Sequence, residues 1–489
     1  MKFETQSGTK YWFDNILGIS FPLNTSLEIL LTSNDVTDSL EKEAADHQRD
    51  AVFNSRFMKK IEKARQYAHQ YPKEQITPEH LKRQILREGL LQLTLSVTEN
   101  CNLACRYCCY SDEYPNTRTP SHKMMNFETA RTAIDYYASL LEEGKRFNPQ
   151  RRPSVGFYGG EPLLNFQLIK QCVSYFKETY PEIDALFTMT TNGTLLDREK
   201  CEFLMAHDFS IAISLDGPEA EHNRNRVYHD GSGTFADVIK NIRPIMDAGY
   251  KNCHAICVFD WKSDLFALQE FFNRAEVPRI SFISLPNPND GCTFYQRFSR
   301  EDYEKFLKTE AKAFQSYNHQ IRHSAGVDSF FDQIFGLQAG RILYSVPALI
   351  DGTSFMIPYT FTCLPGRKIY VDVDGNYHIC ERINHTFPIC NIRTGLDFAR
   401  IAKIVEDYRS HLDLCPSCKV QKLCNICYCD FAGTGEFIPS SKICKNSNHD
   451  LIKGLERAFT IAENNPSLPE TVAQGYYTWL STISTTMGD

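Results

Sequence analysis

Cys101, Cys105 and Cys108 fall as C-x3-C-x2-C in a polar stretch that also holds Glu99, Asn100 and Arg106. Thiols grouped in this way bind metal more often than they form disulfides in a reducing compartment. Three thiolates can hold three irons of a [4Fe–4S] cube and leave the fourth iron without a protein ligand. That vacancy separates a reactive cluster from an electron carrier, which has four cysteines. Zinc is the alternative, but a closed structural zinc site takes four ligands, often as two C-x2-C pairs. Cys109 adjoins the triad one residue out of register and is read as structural.

Nine more cysteines lie from Cys363 to Cys444. Cys363 is followed by eleven residues, Gly375, four residues and Cys380. Cys390 stands alone. Then come Cys415-Pro-Ser-Cys418, five residues, Cys424, two residues, Cys427, one residue and Cys429, with Cys444 last. A segment this rich in thiols needs metal to fold. The pairs Cys415/Cys418 and Cys424/Cys427 would also suit one or two structural zincs. The remaining five, Cys172, Cys201, Cys253, Cys257 and Cys292, are read as small core residues.

The elements that position these groups follow from periodicity. At 489 residues two or three domains are expected. Residues 1–88 contain no cysteine; Tyr11–Asp14 through Ile19–Phe21 suggest short strands, followed by a charged helical stretch from Asp38 to Arg87 whose last helix Pro78 opens. From Leu91 the pattern alternates strand and helix. Leu91, Leu93, Leu95 and Val97 give a strand with one buried face. Asn126 caps a helix carrying Ala130, Ala133, Ile134, Tyr137, Leu140 and Leu141, and Gly144 is placed to end it. Five further strands are expected at 154–158, 185–191, 210–215, 253–259 and 279–285, with helices such as 235–248 between them. Six strand–helix repeats imply parallel strands and an open, partial (β/α)6 TIM barrel over 89–290, too few for a closed eight-stranded one. Chemistry on such a sheet sits in the loops beyond the C-terminal strand ends, and the cysteine loop follows the first strand directly. A bridging region over 291–360, a loop-rich cysteine domain over 361–447 and a helical tail over 448–489 complete the expected organisation.

Composition excludes some classes of function. Hydrophobic content of 42% and charged content of 23% are ordinary for a folded protein. A net charge of −7 provides no basic field for nucleic acid. No run of about 18 apolar residues is present to span a membrane. The start, Met1-Lys2-Phe3-Glu4-Thr5, lacks the features of a signal peptide, so a cytoplasmic location is expected.

With the triad after a first barrel strand, residues 91–290 resemble the radical S-adenosylmethionine (SAM) superfamily. The resemblance implies that SAM chelates the open iron and is cleaved reductively to a 5′-deoxyadenosyl radical that abstracts hydrogen. It places Tyr107 near the adenine and makes Tyr158-Gly159-Gly160-Glu161-Pro162 the segment receiving the SAM amino group. Two glycines would let backbone carbonyls approach a ligand, and Glu161 would suit an ammonium. Thr191-Asn192-Gly193 and Ser214-Leu215-Asp216-Gly217 end the third and fourth strands as in the family, giving Asn192 and Ser214 as cofactor contacts; their glycines are equally explained by turn chemistry. Arg226 matches the arginine that pairs with the SAM carboxylate, and Arg224 is read as a solvated charge.

The C-terminal cysteines resemble the SPASM extension, which holds two auxiliary [4Fe–4S] clusters, giving three clusters in all. The resemblance assigns Cys415, Cys418, Cys424 and Cys444 to the more distant cluster, and Cys363, Cys380 and a later cysteine to the nearer one. This sequence departs from the pattern at Tyr428, flanked by Cys427 and Cys429. Cys427 is favoured, Cys390 or Cys429 could complete the set, and otherwise an open iron is left for a substrate thiolate. SPASM proteins modify peptides or proteins. Within them this sequence is most similar to thioether-forming sactipeptide and ranthipeptide maturases of the freyrasin type. That likeness implies a leader-recognition domain of winged-helix type over 1–88, although a cap over the barrel would explain those residues as well. It also implies a precursor peptide with a leader and an electron donor such as flavodoxin or ferredoxin as partners. The rivals are an anaerobic sulfatase-maturing enzyme, which forms formylglycine and needs an acidic base the sequence does not reveal, and a non-catalytic iron–sulfur carrier or scaffold. The three-cysteine site and the Gly159-Gly160-Glu161 segment argue against the last.

Overall fold

A computed structural model of the protein describes all residues except 33–47, 70–75, 119–120, 287–290, 324–328, 345–361, 364, 413–414 and 473–489. Parts of the expected helical stretch from Asp38, of the 291–360 bridge and of the 448–489 tail lie outside the described residues. Three short strands open the chain: β1 (Lys2–Glu4), β2 (Lys10–Asp14) and β3 (Ile19–Pro22), antiparallel in the order β1-β2-β3. Helices α1 (Thr25–Thr32) and α2 (Gln48–His69) follow. The Phe57 ring of α2 meets Phe21 of β3 edge-on at 5.0 Å. Helix α3 (Pro78–Glu88) starts where Thr77 accepts from His80 N–H and Pro78 needs no intrahelical partner. Its buried Leu81, Ile85 and Leu86 join the barrel core, not the N-terminal cluster.

The barrel strands are β4 (Gln92–Thr98), β5 (Ser154–Gly159), β6 (Leu186–Thr191), β7 (Ser210–Ser214), β8 (Cys253–Val258) and β9 (Arg279–Ser284). Each pairs in parallel with the next, as the alternation of strand and helix requires. The helices between them are α4 (Phe127–Gly144), α5 (Phe166–Thr179), α6 (Arg198–Ala206), α7 (Glu219–Asn225), α8 (Phe235–Asp247) and α9 (Leu265–Phe272).

Two local expectations are corrected. β4 is buried on both faces, not one: Leu93, Leu95 and Val97 join the hydrophobic core, while Thr94, Ser96 and Thr98 are buried on the opposite face. Helix α4 is capped by Asn126 accepting from Thr129 N–H, as expected. Gly144, however, is its last residue and is followed by right-handed Lys145, so no left-handed turn stops it. A Cβ there would lie 2.9 Å from Leu86 O and closer still to Arg151, so close approach is what requires glycine.

The sheet does not end at the barrel. After helices α10 (Arg300–His323) and α11 (Leu337–Tyr344), strand β10 (Lys368–Val371) pairs in parallel with β4, Lys368 beside Gln92 and Val371 beside Leu95. β11 (Asn376–His378), β12 (Cys390–Asn391) and β13 (Gly395–Leu396) continue antiparallel, giving the order β13-β12-β11-β10-β4-β5-β6-β7-β8-β9. The cysteine-dense segment is thus built partly onto the barrel sheet. Helix α12 (Phe398–Ser410) follows, and α13 (Ser441–Asn464) begins seven residues before the expected start at 448, so Cys444 stands in its first turn. α13 packs on the N-terminal sheet through Phe459, which meets Phe3 and Tyr11 at 5.3 and 4.6 Å. Among the described residues no helix is long and apolar enough to cross a membrane.

Candidate functional site

The first triad lies immediately beyond the C-terminal end of β4. Its loop is fastened by backbone pairing to the stretch after α7: Ala104 N–H donates to Val227 O at 2.8 Å and Arg106 N–H to Asn225 O at 2.9 Å. This pairing brings Arg226 to Cys105, with Nη1 4.0 Å from Sγ. On the other side Leu103 N–H lies 3.5 Å and Asn192 Nδ2 3.9 Å from Cys101 Sγ. Donors directed at sulfur suit thiolates that carry a cluster's negative charge. Burial pushes the Cys101 thiol up to about 11, and burial likewise raises Cys105 and Cys108, against the pull of Arg226 on Cys105. Metal uptake must therefore displace protons here. The residues present fit a [4Fe–4S] cluster held by three thiolates.

Arg226 is itself held by Asp216. The buried carboxylate accepts from Arg226 Nε at 3.0 Å, from the Tyr107 hydroxyl, and from Val258 N–H at 3.0 Å. The guanidinium stands 5.4 Å from the Tyr107 ring centre. Burial opposes the charge of Arg226, yet Asp216, Tyr107 and Cys105 hold it protonated. His222 completes the frame: Asp216 N–H donates to Nδ1 at 3.2 Å, Nε2 reaches Thr234 Oγ1 at 2.9 Å, and that hydroxyl donates to Arg226 O. A guanidinium and a flat ring fixed beside Cys105 have the chemistry to meet the carboxylate and adenine of SAM. Ser214 is buried at the end of β7. Arg224 departs from its expected role as a solvated charge; it pairs with Asp260 at 3.0 Å and Glu221 at 2.8 Å.

Gly159 and Gly160 lie against the cysteine loop. A Cβ on Gly159, whose φ is +141°, would lie 2.0 Å from Thr98 O, and one on Gly160 would lie 2.2 Å from Asn100 O. Glycine lets this turn lie against the cysteine loop, where Gly160 N–H donates to Thr98 O and Glu161 N–H to Asn100 O, both at 2.9 Å. Glu161 is buried, with its carboxylate accepting from Thr191 Oγ1, Asn192 N–H and Leu163 N–H at 2.7, 2.7 and 3.1 Å. Burial raises it to about 7, with those three bonds opposing. Asn192 in turn donates to Asn102 Oδ1 at 2.9 Å, so Glu161 is tied through it to the triad loop.

The C-terminal thiols gather into two sets. Cys380 and Cys429 lie 3.7 Å apart, Cys427 is a neighbour of Cys429, and Cys363 feels both Cys427 and Cys380. Donation from Cys429 holds the Cys380 thiol down to about 7, while Cys429 is pushed up. The second set is Cys415, Cys418, Cys424 and Cys444, in which burial and the three neighbours push Cys424 up to about 12. Cys390 stands apart, 2.8 Å from Thr394 Oγ1. Both Cys427 and Cys429 thus fall in the nearer set. No three His, Cys, Asp or Glu side chains among the described residues converge as a single metal ion would require. Sets of four thiols have the donor chemistry of a multi-iron cluster and of a zinc site alike. Four of the isolated cysteines are buried as expected; Cys292 is instead half-exposed and bonded to Tyr114.

Glu381, beside Cys380, escaped sequence reasoning. Lys368 Nζ meets both its carboxylate oxygens at 3.0 Å. Burial works against its charge, but Lys368 and Arg382 hold it below the ordinary range, so it is ionised. The Tyr110 hydroxyl donates to Glu381 O at 3.4 Å, and Cys109, Tyr158 and Tyr370 are neighbours. Cys109 is exposed, with Arg382, Glu381 and Arg118 as charged neighbours. Adjacency to Cys380 was the available signal.

Residues 95–261 match the Radical SAM superfamily model. The radical SAM cyclopropyl synthase TigE of Paramaledivibacter caminithermalis is 26% identical over 236 residues, 46% of this chain and 48% of that one. A cysteine-type anaerobic sulfatase-maturating enzyme of Clostridium novyi is 25% identical over 226 residues, 45% of this chain and 58% of that one. The chain therefore spans about half the length of these curated relatives. The solved structure of polyhistidine-tagged anSMEcpe with bound AdoMet shares the fold at a TM-score of 0.57 and 19% identity, covering 79% of this chain and 98% of that one. The match of residues 95–261 to the Radical SAM superfamily thus falls on the partial barrel and its cysteine loop, a fold shared with that solved structure.

Proposed function

We propose that this enzyme is a radical SAM peptide maturase that joins a cysteine sulfur to a carbon of a second residue within a ribosomally made precursor peptide. The observation that carries the reading is the contact between the two thiol regions: Tyr110, two residues after Cys108, touches Glu381, the residue after Cys380. Adjacent thiol regions would bring a substrate sulfur and a substrate carbon together, which is the main requirement of C–S bond formation. When loaded, the first site supplies a SAM-derived radical that removes hydrogen from an unactivated carbon.

The chain's own residues do the rest. Cys101, Cys105 and Cys108 hold the first cluster, with Tyr107, Asn192, Ser214 and Arg226 at the cofactor and Glu161 bracing the loop. Cys363, Cys380, Cys427 and Cys429 hold the nearer auxiliary cluster, and Cys415, Cys418, Cys424 and Cys444 the other. Four thiols in the nearer set favour a substrate sulfur that approaches it without needing an open iron. Ionised Glu381 can take the proton of that thiol. In residues 1–88 the edge of β3, unpaired among the described residues and beside α2, is where a leader peptide would add as a strand. A flavodoxin or ferredoxin in the cytoplasm would supply electrons.

Glu381 also favours a second reading, formylglycine formation in a sulfatase, since that chemistry needs an acidic base. Co-production with a candidate precursor peptide separates them. Thioether formation removes two hydrogens per cross-link and leaves the cysteine unable to react with alkylating reagents. A product that keeps its mass, or one carrying a hydrazide-reactive aldehyde, would sink the thioether reading.

A further inference from the structure

We propose that Asn15, in the turn between β2 and β3, is a positioning residue for the thiol set of Cys415, Cys418, Cys424 and Cys444, so that the N-terminal unit completes that site. The inference rests on reading these four thiols as metal ligands, whether for iron or for zinc, and on nothing about the peptide. Asn15 Nδ2 donates to Cys418 O at 2.5 Å, and Lys422 N–H donates to Asn15 Oδ1 at 3.5 Å. One side-chain amide, donor and acceptor together, thus spans the chain from one ligand to the residue two before the next, Cys424. The other bonds of this loop are local: Cys418 N–H donates to Cys415 O at 3.0 Å, Leu423 N–H to Val420 O at 2.9 Å and Cys424 N–H to Gln421 O at 3.2 Å. They shape two short turns without fixing the angle between them. The Asn15 clip closes that angle.

Asn15 is itself held from the N-terminal side. Asp14 Oδ1 accepts from Ile16 N–H and Leu17 N–H, both at 3.0 Å, and Gly18 N–H, at a φ of +68°, donates to Asp14 O at 2.7 Å. Arg65 of α2 pairs with Asp14 Oδ2 at 2.7 Å, and the Asp14 side chain is 1% exposed. Beside the clip, Leu423 packs against the cluster of Phe3, Phe13 and Leu455. From α13, Asn448 Oδ1 lies 3.4 Å from Cys418 Sγ. Cys418 therefore sits between the helix that carries Cys444 and a hairpin 403 positions earlier in the chain. Groups behind the ligands in this way orient them and raise their hold on a metal.

The test uses the full-length protein, purified anaerobically with its metal, and three variants. Asn15→Ala removes both bonds. Asn15→Asp keeps an acceptor for Lys422 and sets a carboxylate against Cys418 O. Gln6→Ala is the control: it removes a side chain of the same unit that accepts from Asn318, away from the thiols. Each protein is challenged with EDTA, pulsed with iodoacetamide and read thiol by thiol by peptide mass spectrometry. Cys415, Cys418 and Cys424 should be alkylated at least about tenfold faster in both Asn15 variants than in wild type. Metal should fall by about four irons or about one zinc per chain, with Cys380 and Cys429 unaffected. Gln6→Ala should match wild type. Hydrogen exchange across β1–β3 and α13 should stay within about twofold of wild type, which separates positioning from undocking of the whole unit. Wild-type protection in either Asn15 variant, equal exposure of Cys380 and Cys429, or faster exchange across all of β1–β3 would overturn the proposal. So would wild-type thiols of this set that react as fast before metal removal as after it. Failure to form a thioether would sink the proposed function and leave this result standing.

Discussion

Asp216→Ala removes the one carboxylate that holds Arg226, Tyr107 and the end of β8 together. Asp216 is 3% exposed and the Arg226 side chain 9%. Breaking a buried pair by deleting one partner costs about 3–5 kcal/mol, because the other charge stays buried without compensation. Tyr107 and Val258 N–H each also lose an acceptor, about 1 kcal/mol apiece if independent. Taking only the lower bound of the pair, about 3 kcal/mol, local opening should become more than a hundredfold easier. The Val258 amide donates directly to Asp216, so hydrogen exchange of peptides covering β8 reads the change where it occurs. Asp216→Asn keeps an oxygen for Val258 and loses the charge, so it should fall between. Combining Asp216→Ala with Arg226→Met removes the orphaned charge and should slow exchange again by about tenfold or more. Exchange within twofold of wild type in Asp216→Ala, or no recovery in the double variant, would refute the view that this pair organises the site.

Gly160→Ala should empty the first site of iron while sparing both C-terminal sets, because its Cβ would collide with the backbone of Asn100 in the triad loop; iron counts and cluster spectra check this. Cys429→Ser should lower iron by about four per chain and Cys390→Ser should not, as only Cys429 lies with the nearer set. Burial, with Arg226 adding to it, lowers folded His222 from 6.5 to about 3. The unfolded chain therefore binds the extra proton between those values, so stability falls as pH drops from 6.5 toward 3, by at most about 1.4 kcal/mol per pH unit. Chemical denaturation across that range should show a shallower acid-side slope in His222→Gln, and an unchanged slope would refute the assignment.

The barrel was legible because its strands are long, apolar and separated by capped amphipathic helices; all six were located to within about two residues. The triad was legible because its ligands are local in sequence. β10 to β13 were not, since runs of two to four residues such as Lys368–Val371 give too little periodicity to separate from loop. Gly159 and Gly160 have a second use that was not legible, for a different reason. A glycine reports that something approaches its backbone, and sequence does not say whether that is a ligand or, as here, the carbonyls of Thr98 and Asn100. Asp216 lay inside a quoted motif, but its importance comes from Tyr107, Arg226 and Val258, which converge only in the fold.

The same distinction bears on how the two thiol regions are held apart. Cys101 follows β4 and Cys380 follows β11, and the 96 positions from Ser284, at the end of the last barrel strand, to Cys380 are far too long a tether to fix a separation. The parallel pairing of β10 with β4 fixes it instead, by setting Lys368 beside Gln92, after which Lys368 grips both oxygens of Glu381, the next residue to Cys380. Alternation along β10 puts Ile369 and Val371 in the core and leaves Lys368 and Tyr370 on the face shared with the thiols. A slip of one residue would send Lys368 to the opposite face and release Glu381. The placement of Glu381 relative to β4 is therefore a property of strand register, and a loop insertion that preserves the β10–β4 pairing should leave it intact.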